Sequence, residues 1–453
     1  MTIDETDATV RLAAFATELN YSAIPSEAVQ RAKDCLLDSL AAGLYGRSKP
    51  WSRIVAEFVL GLGGKGSSSV LGERQRVPAP YAAMANGTMI HGFEMDSVRQ
   101  PGAGVHPGAT IVPALIAVGE ERHASGKEIL TAFVAGCEVL FRIGLALGHG
   151  VEKRGFHAPG LTGTFGAAVA AGKILGLGAE QMTRALGIAG SFSSGLLEFS
   201  RSQGGGMVKR LHMGRAAEGG VLAAMLASSG FTGPESVLEG KFGFCSAYSD
   251  HPDLNKLTAG LGSDFETLNI CIKRYPCHIY AQAPIEALMA LRREHRFDPS
   301  EVDNIIVGGE EKIKSHHSIY EPKDIMAAQY SIPYSVALAL FFNLEDPKNL
   351  SEENLSNGKI LELTKKVEVR VDGEIDRMHE SRAARIVVRL KNGIELKREV
   401  LHFKGTPQNP LEPKELQSKF ATLAAATLAP EQGAAIIEKI SRLEELADTA
   451  TLF

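Results

Sequence analysis

Apolar residues recur at helical spacing over most of the first 265 positions of the chain. Val29, Ala32, Leu36, Leu40 and Leu44 mark one face of a helix that opens at Pro25-Ser26-Glu27, where proline and a hydroxyl favour an N-terminus. The same spacing predicts helices at 50–61, 79–92, 109–121, 127–148, 160–175, 179–189 and 211–229. Several end at a glycine (Gly46, Gly61, Gly148, Gly176, Gly230), as expected if each adopts the left-handed conformation that closes a helix. The stretch 162–176 is apolar on nearly every face, and a helix of that kind belongs at the centre of a bundle.

The period changes near residue 268. Segments 303–309 and 367–371 read as strands, the second with period two. Segments 385–390 and 394–400 flank Lys391-Asn392-Gly393 and read as a hairpin closed by a type I′ turn. Helices at 282–294 and 330–342 lie among these strands, and 413–447 returns to helix. The expected fold is mainly α. A large all-helical domain, residues 1–267 plus 405–453, carries a smaller inserted α+β lid domain, residues 268–404. A cleft between two such domains is a common place for a ligand.

Composition narrows the partners. With 44% hydrophobic and 22% charged residues, the 453-residue chain falls in the ordinary range for soluble proteins. A net charge of −5 lacks the basic surface that phosphate backbones require, so no nucleic acid is expected. No run reaches 18 apolar residues, and no membrane partner is expected. Cys35, Cys137, Cys245, Cys271 and Cys277 form no CxxC pair. With an acidic N-terminal segment unlike a secretory signal, they point to a cytoplasmic location.

Gly61–Ser67 invites a phosphate-loop reading but lacks the required glycine–lysine spacing. His91-x-x-Glu94 is half of a bundle di-metal motif without a second copy, so no metal and no cofactor are expected. His316-His317 reads as a surface pair. What remains is a set of imidazoles, cations and acids on glycine-rich turns: His91-Gly-Phe-Glu94-Met-Asp96, His106-Pro-Gly, Gly155-Phe-His157, Lys209-Arg210-Leu-His212 and Lys273-Arg-Tyr-Pro-Cys-His278. Glu94 and Asp96 close a helix, where the helix dipole disfavours acids, so another demand acts on them. His157 precedes a buried helix, whose positive end favours a neutral imidazole suited to act as a base. Arg201, Lys209, Arg210 and Lys273 can supply charge for a carboxylate. Such a set suits proton transfer beside a carboxylate in a closed site.

In this order, and with Gly163-Thr-Phe-Gly and Ser331-Ile-Pro-Tyr334, the motifs resemble those of the MmgE/PrpD superfamily. That superfamily includes 2-methylcitrate dehydratase, cis-aconitate decarboxylase and iminodisuccinate epimerase. The resemblance covers nearly the whole chain. It implies a helical domain built from both chain ends, an α+β lid, a homodimer, and chemistry without metal or organic cofactor. By position it implies active-site histidines at His106 and His157, an active-site tyrosine at Tyr334, and substrate-holding lysines at Lys209 and Lys273. Asp96 matches the second acid of an Asp-x-Asp-Asp run.

The chain departs from that run at Glu94 and Ser97. It has Val98 where decarboxylase-like members carry threonine, and its longer loop up to His106 carries Arg99. These departures speak against decarboxylase activity and for a substrate that differs near that loop. The resemblance implies a lyase that removes a proton α to a carboxylate of a small di- or tricarboxylic acid, of dehydratase type because β-elimination uses both a base and an acid. Its catalytic set is His106, His157, Asp96, Glu94 and Tyr334, and its substrate-binding set is Lys209, Lys273, His278, Arg99 and His91. Epimerase, decarboxylase and a non-catalytic metabolite-binding protein are the alternatives.

Overall fold

A computed structural model describes residues 7–100, 102, 104–200, 205–378 and 382–452. The chain forms two compact units. The first joins the chain up to Ile270 with the segment from Pro413 onward, and the second runs from Cys271 to Glu412. The sequence reading had set the crossings at 267/268 and 404/405. Segment 405–412 instead belongs to the second unit, where Gly405 O accepts the Ile272 N–H at 2.9 Å.

The first unit is a helical body. Its principal helices are α1 (Ser26–Gly46), α2 (Ala79–Ile90), α3 (Pro107–Arg122), α4 (Gly126–Leu147), α5 (Ala158–Ile174) and α6 (Met207–Ser228), with α7 (Pro413–Ala424) returning from the chain's end to pack on α1. Helix α5 is buried along nearly its whole length, as its all-round apolar sequence requires. By length and mean hydropathy, 1.8, α4 is apolar enough to cross a membrane, although Lys127, Glu128, Glu138 and Arg142 interrupt its apolar run. However, 94% of its most apolar stretch is buried inside the protein, and it holds the buried Glu138–Arg142 ion pair. It is a core helix.

Small residues set how closely these helices approach. A Cβ on Gly214 of α6 would collide with the Met84 carbonyl oxygen of α2, and one on Gly87 would lie 2.9 Å from Gly214 Cα. The close crossing places the first turn of α6 against the end of α2. A Cβ on Gly163 of α5 would lie 2.5 Å from Thr110 of α3, so those two helices also touch near their starts. Of the five glycines expected at left-handed helix ends, Gly148, Gly176 and Gly230 have positive φ. Gly46 remains helical and admits the Met89 carbonyl, and Gly63 takes the role expected of Gly61.

In the second unit, strands β1 (Val302–Gly309), β2 (Val367–Val371), β3 (Ala384–Leu390) and β4 (Glu395–Val400) form a sheet in the order β2-β1-β3-β4. The β1–β2 pair is parallel, and β1–β3 and β3–β4 are antiparallel. Ala384, Ile386, Val388 and Leu390 alternate inward along β3, and helix α8 (Ile279–His295) packs on β3 and β4. The hairpin turn differs from expectation. Gly393 has φ +88°, whereas Asn392 is not among the positive-φ residues, and Leu390 N donates to Ile394 O. This is a three-residue loop closed by a left-handed glycine, because type I′ needs two positive φ angles.

Candidate active site

Four helix ends of the first unit, the end of α2 and the starts of α3, α5 and α6, carry a cluster of largely buried ionisable groups. Helix α2 gives way to a 3-10 turn, His91–Phe93, and then to Glu94 in the left-handed region at φ +57°. A non-glycine residue there is strained, and such strain is held in place by its surroundings. Here Lys209 Nζ and Arg210 Nη1 of α6 both bind Glu94 Oε1, the latter at 3.0 Å. Arg210 also donates to the His91 carbonyl at 3.3 Å. All four side chains are buried.

Two residues on, the fully buried Asp96 bridges two imidazoles. Its Oδ1 lies 3.0 Å from His91 Nδ1 and its Oδ2 lies 2.6 Å from His106 Nδ1. An ionised carboxylate only accepts, so both imidazoles carry their proton on Nδ1 and present a bare Nε2 when neutral. Burial holds the His91 pKa well below the usual imidazole range, against the opposing pull of Asp96. His91 Nε2 has no hydrogen-bond partner among the described residues and lies 3.7 Å from Glu94 Oε1, beyond hydrogen-bond reach. Lys419 of α7 donates to the Met95 carbonyl at 3.0 Å and pairs with Asp38, which pins the acid turn from beneath. Ser97 takes the Gly108 N–H in the first turn of α3 at 3.3 Å and meets Cys35 Sγ at 3.1 Å. The residue at that departure from the family run therefore works as a local strut.

His106 and His157 are the N-cap residues of α3 and α5, which the packing of Thr110 on Gly163 brings together. His157 Nδ1 lies 3.0 Å from His212 Nδ1, and Phe199 packs edge-on against both rings. Burial, then the charges of His212, His91, His106 and Arg210, push the His157 pKa well below the ordinary range. Burial and Lys209 lower that of His212 to about 4. Both rings are neutral at pH 7.

His91, Asp96 and His106 offer three ligand atoms within 4.8 Å of one another, the one grouping among the described residues that could hold a metal ion. Lys209 and Arg210 beside Glu94 oppose a divalent cation there, and both imidazole contacts have hydrogen-bond lengths.

The structure thus brings together six residues expected from the sequence: His91, Glu94, Asp96, His106, His157 and Lys209. Arg99 is held by Glu266, with Nε and Nη2 at 2.9 and 2.7 Å from Oε2. Arg201 lies outside the described residues. In the second unit, Lys273 is buried and His278 N-caps α8. Tyr334 sits in the helix Ile332–Phe341, with a buried hydroxyl that has no partner among the described residues. His317, read as surface from sequence, is buried and stacks on His278 at 4.3 Å, while His316 is exposed. Arg210 and His212 stood in the set read from sequence, but their roles as second cation on Glu94 and as partner of His157 were not foreseen. Their shared run with Lys209 was the available signal.

Comparison with known proteins identifies the family. The MmgE/PrpD N-terminal domain model matches residues 10–257 and the C-terminal domain model matches residues 275–445. A cis-aconitate decarboxylase-like protein, oryM, of Aspergillus oryzae is 30% identical over 99% of this chain and 97% of its own length. A cis-aconitate decarboxylase of Aspergillus terreus is 29% identical over 98% of this chain and 94% of its own. The human cis-aconitate decarboxylase is 28% identical over 96% and 91%.

Proposed function

The chain belongs to the MmgE/PrpD family, and on that premise we propose that it is a lyase that decarboxylates a small tricarboxylic acid. The observation that carries this reading is the Asp96 carboxylate shared by His91 and His106, set beside two cations on one acid. Loss of carbon dioxide breaks a C–C bond and leaves its electron pair on carbon, spread toward a neighbouring carboxylate. A proton must then be delivered to carbon.

His106 is the donor in this scheme. Its Nδ1–H is anchored on Asp96, which stabilises the imidazolium and fixes the ring orientation, and its Nε2 proton goes to carbon. Lys209 and Arg210 outnumber Glu94 in charge, and they hold substrate carboxylates and the negative charge that develops next to them. The neutral His157 donates or accepts a hydrogen bond at the same substrate. Lys273, His278 and Tyr334 are the substrate contacts proposed from the second unit, with the unpartnered Tyr334 hydroxyl the strongest of them.

Dehydration, preferred on the sequence alone, is the second reading. The departures at Glu94, Ser97 and Val98 weigh against decarboxylation, and a base and an acid together suit β-elimination. The test is proton NMR in deuterium oxide with cis-aconitate, citrate and 2-methylcitrate, coupled to carbon dioxide detection. Carbon dioxide with a deuterated product from cis-aconitate supports the proposal. A vinyl product from a hydroxy acid without carbon dioxide establishes the dehydratase, and α-deuteration alone establishes an epimerase. Binding of all three acids without any of these changes would overturn the reading.

A further inference from the structure

The contact between His157 and His212 has consequences that follow from counting protons. A neutral imidazole has one N–H and one bare nitrogen. Two Nδ1 atoms 3.0 Å apart form a hydrogen bond only if one carries a proton and the other does not. The ring with its proton on Nδ1 then has a bare Nε2, and the other ring has an Nε2–H. The pair cannot be two copies of the same tautomer.

The surroundings hold this pair in place. His157 N donates to Gly195 O at 3.0 Å, Leu197 N donates to Gly155 O at 2.8 Å, and Phe156 bridges Leu196. Segment 195–199 is thereby strapped along 155–157, which sets Phe199 against both rings at 5.1 and 5.7 Å. Gly195, at φ +145°, lies so close that a Cβ there would stand 3.3 Å from His212 Nδ1, and a Cβ on Gly160 would stand 3.2 Å from His212 Cβ. The charged and titratable groups bearing on the pair are His91, His106 and Arg210 on His157, and Lys209 on His212. Among the described residues no carboxylate is one of these groups, and His212 stands where a triad would place an acid.

We propose that His157 and His212 share one Nδ1 proton in complementary tautomers, with His212 the positioning residue that sets which face of His157, acid or base, meets the substrate. The proposal rests on the functional reading above only in giving His157 a substrate to meet. When the Nε2 of an Nδ1-protonated His157 takes up a proton, its Nδ1–H is donated more strongly to His212. Full transfer leaves His157 neutral with its proton on Nε2 and moves the positive charge to His212. Two N–H bonds form, at His157 Nε2 and His212 Nδ1, and one breaks, at His157 Nδ1. The single proton gained is the one taken up.

Nitrogen-15 NMR of the histidine-labelled full chain at pH 7 tests the tautomers without substrate. His157→Asn and His212→Asn assign the two rings among the 13 histidines. One ring protonated on Nδ1 and the other on Nε2 is expected. Two rings of the same tautomer, or an imidazolium in either, would overturn the proposal.

Kinetics test the positioning role. His212→Phe should lower kcat about tenfold to a hundredfold with KM nearly unchanged, the lower range for a disturbed acid–base group. It should also shift the kcat–pH profile. His212→Asn, whose amide occupies the Nδ1 position, should recover most of the loss. Equal kcat in wild type and His212→Phe, or no recovery by a folded Asn variant, would defeat the positioning role. If His212→Phe does not fold, the wild-type NMR result still decides the tautomers. Absence of turnover on every tricarboxylate would count against the functional reading and leave that result standing.

Discussion

Replacing Asp96 by asparagine is the sharpest probe of the site, because one carboxylate is bound by two imidazoles. Both oxygens are fully buried and each faces an Nδ1, at 3.0 Å for His91 and 2.6 Å for His106. The amide keeps the volume but has one acceptor oxygen and one donor NH2. It can hold only one ring in its present tautomer. The other must turn its bare nitrogen inward, which converts its Nε2 from bare to protonated. Both rings also lose a charge-assisted bond, about twice as strong as a neutral one.

The corresponding change in a Ser-His-Asp triad lowers kcat by about 10⁴, through the wrong tautomer. Here a fraction of molecules can keep His106 on the amide oxygen, so we expect about 10³–10⁴. At 1.36 kcal/mol per decade this is about 4–5.5 kcal/mol of transition-state stabilisation. Folding should change far less, by under about 2 kcal/mol, because the variant removes a buried charge while keeping most of its hydrogen bonds. The assay is the initial rate of product formation over a range of pH, alongside thermal unfolding. A folded variant with kcat within about tenfold of wild type would mean that the Asp96 bridge has no part in proton transfer.

Three further outcomes are expected. Tyr334→Phe should leave unfolding free energy unchanged or raise it by up to about 1 kcal/mol, since the buried hydroxyl has no partner to lose, while kcat/KM falls; destabilisation measured in urea would show that the hydroxyl serves the fold. Gly214→Ala should destabilise by about 3 kcal/mol, because the new methyl group meets the Met84 carbonyl, which cannot move aside; a loss under about 0.5 kcal/mol in urea would count against this tight crossing.

His317 is neutral in the fold down to about pH 4, held there mainly by burial, whereas an unfolded histidine takes its proton near pH 6.5. The unfolded state therefore binds more protons through that window, and wild-type stability is lost as pH falls from 6.5 to 4. His317→Gln removes this penalty, so the wild-type advantage over the variant should shrink by up to about 3 kcal/mol across that window, followed by thermal unfolding. A constant or growing difference would refute the assignment.

Much of the fold was legible because period is a local property. Helices of the first unit announce themselves through apolar spacing, and β3 and β4 through alternation around Asn392-Gly393. The short helices Glu311–His317, Ile325–Tyr330 and Gly358–Thr364 were missed, since one or two turns contain too few residues to show a period. His317 was misread for a related reason. It sits on such a short helix, and its burial against His278 and Tyr330 comes from tertiary packing that no neighbour in sequence signals.

The site was legible as a collection of residue types, and its wiring was not. His157 and His212 are 55 positions apart, and Glu94 meets its second cation across 116 positions. The Glu94 pairing follows from the close crossing of α2 and α6 at Gly87 and Gly214, which brings the Lys209–His212 turn to the end of α2, and the His157–His212 pairing from the close approach of α5 and α6 at Gly160. Within that run one local signal did exist. Lys209 and His212, at i and i+3, must share a face of the helix, so a lysine directed at a carboxylate carries the histidine to the same side. Arg99 shows the converse. A loop arginine beside a proposed anion site looked like a ligand, yet it is bound to Glu266, 167 residues on, a partner that spacing could not reveal. In this protein, then, chemistry could be read from residue types where helical geometry fixed their direction, whereas off the helices a side chain's partner was set by tertiary contacts alone.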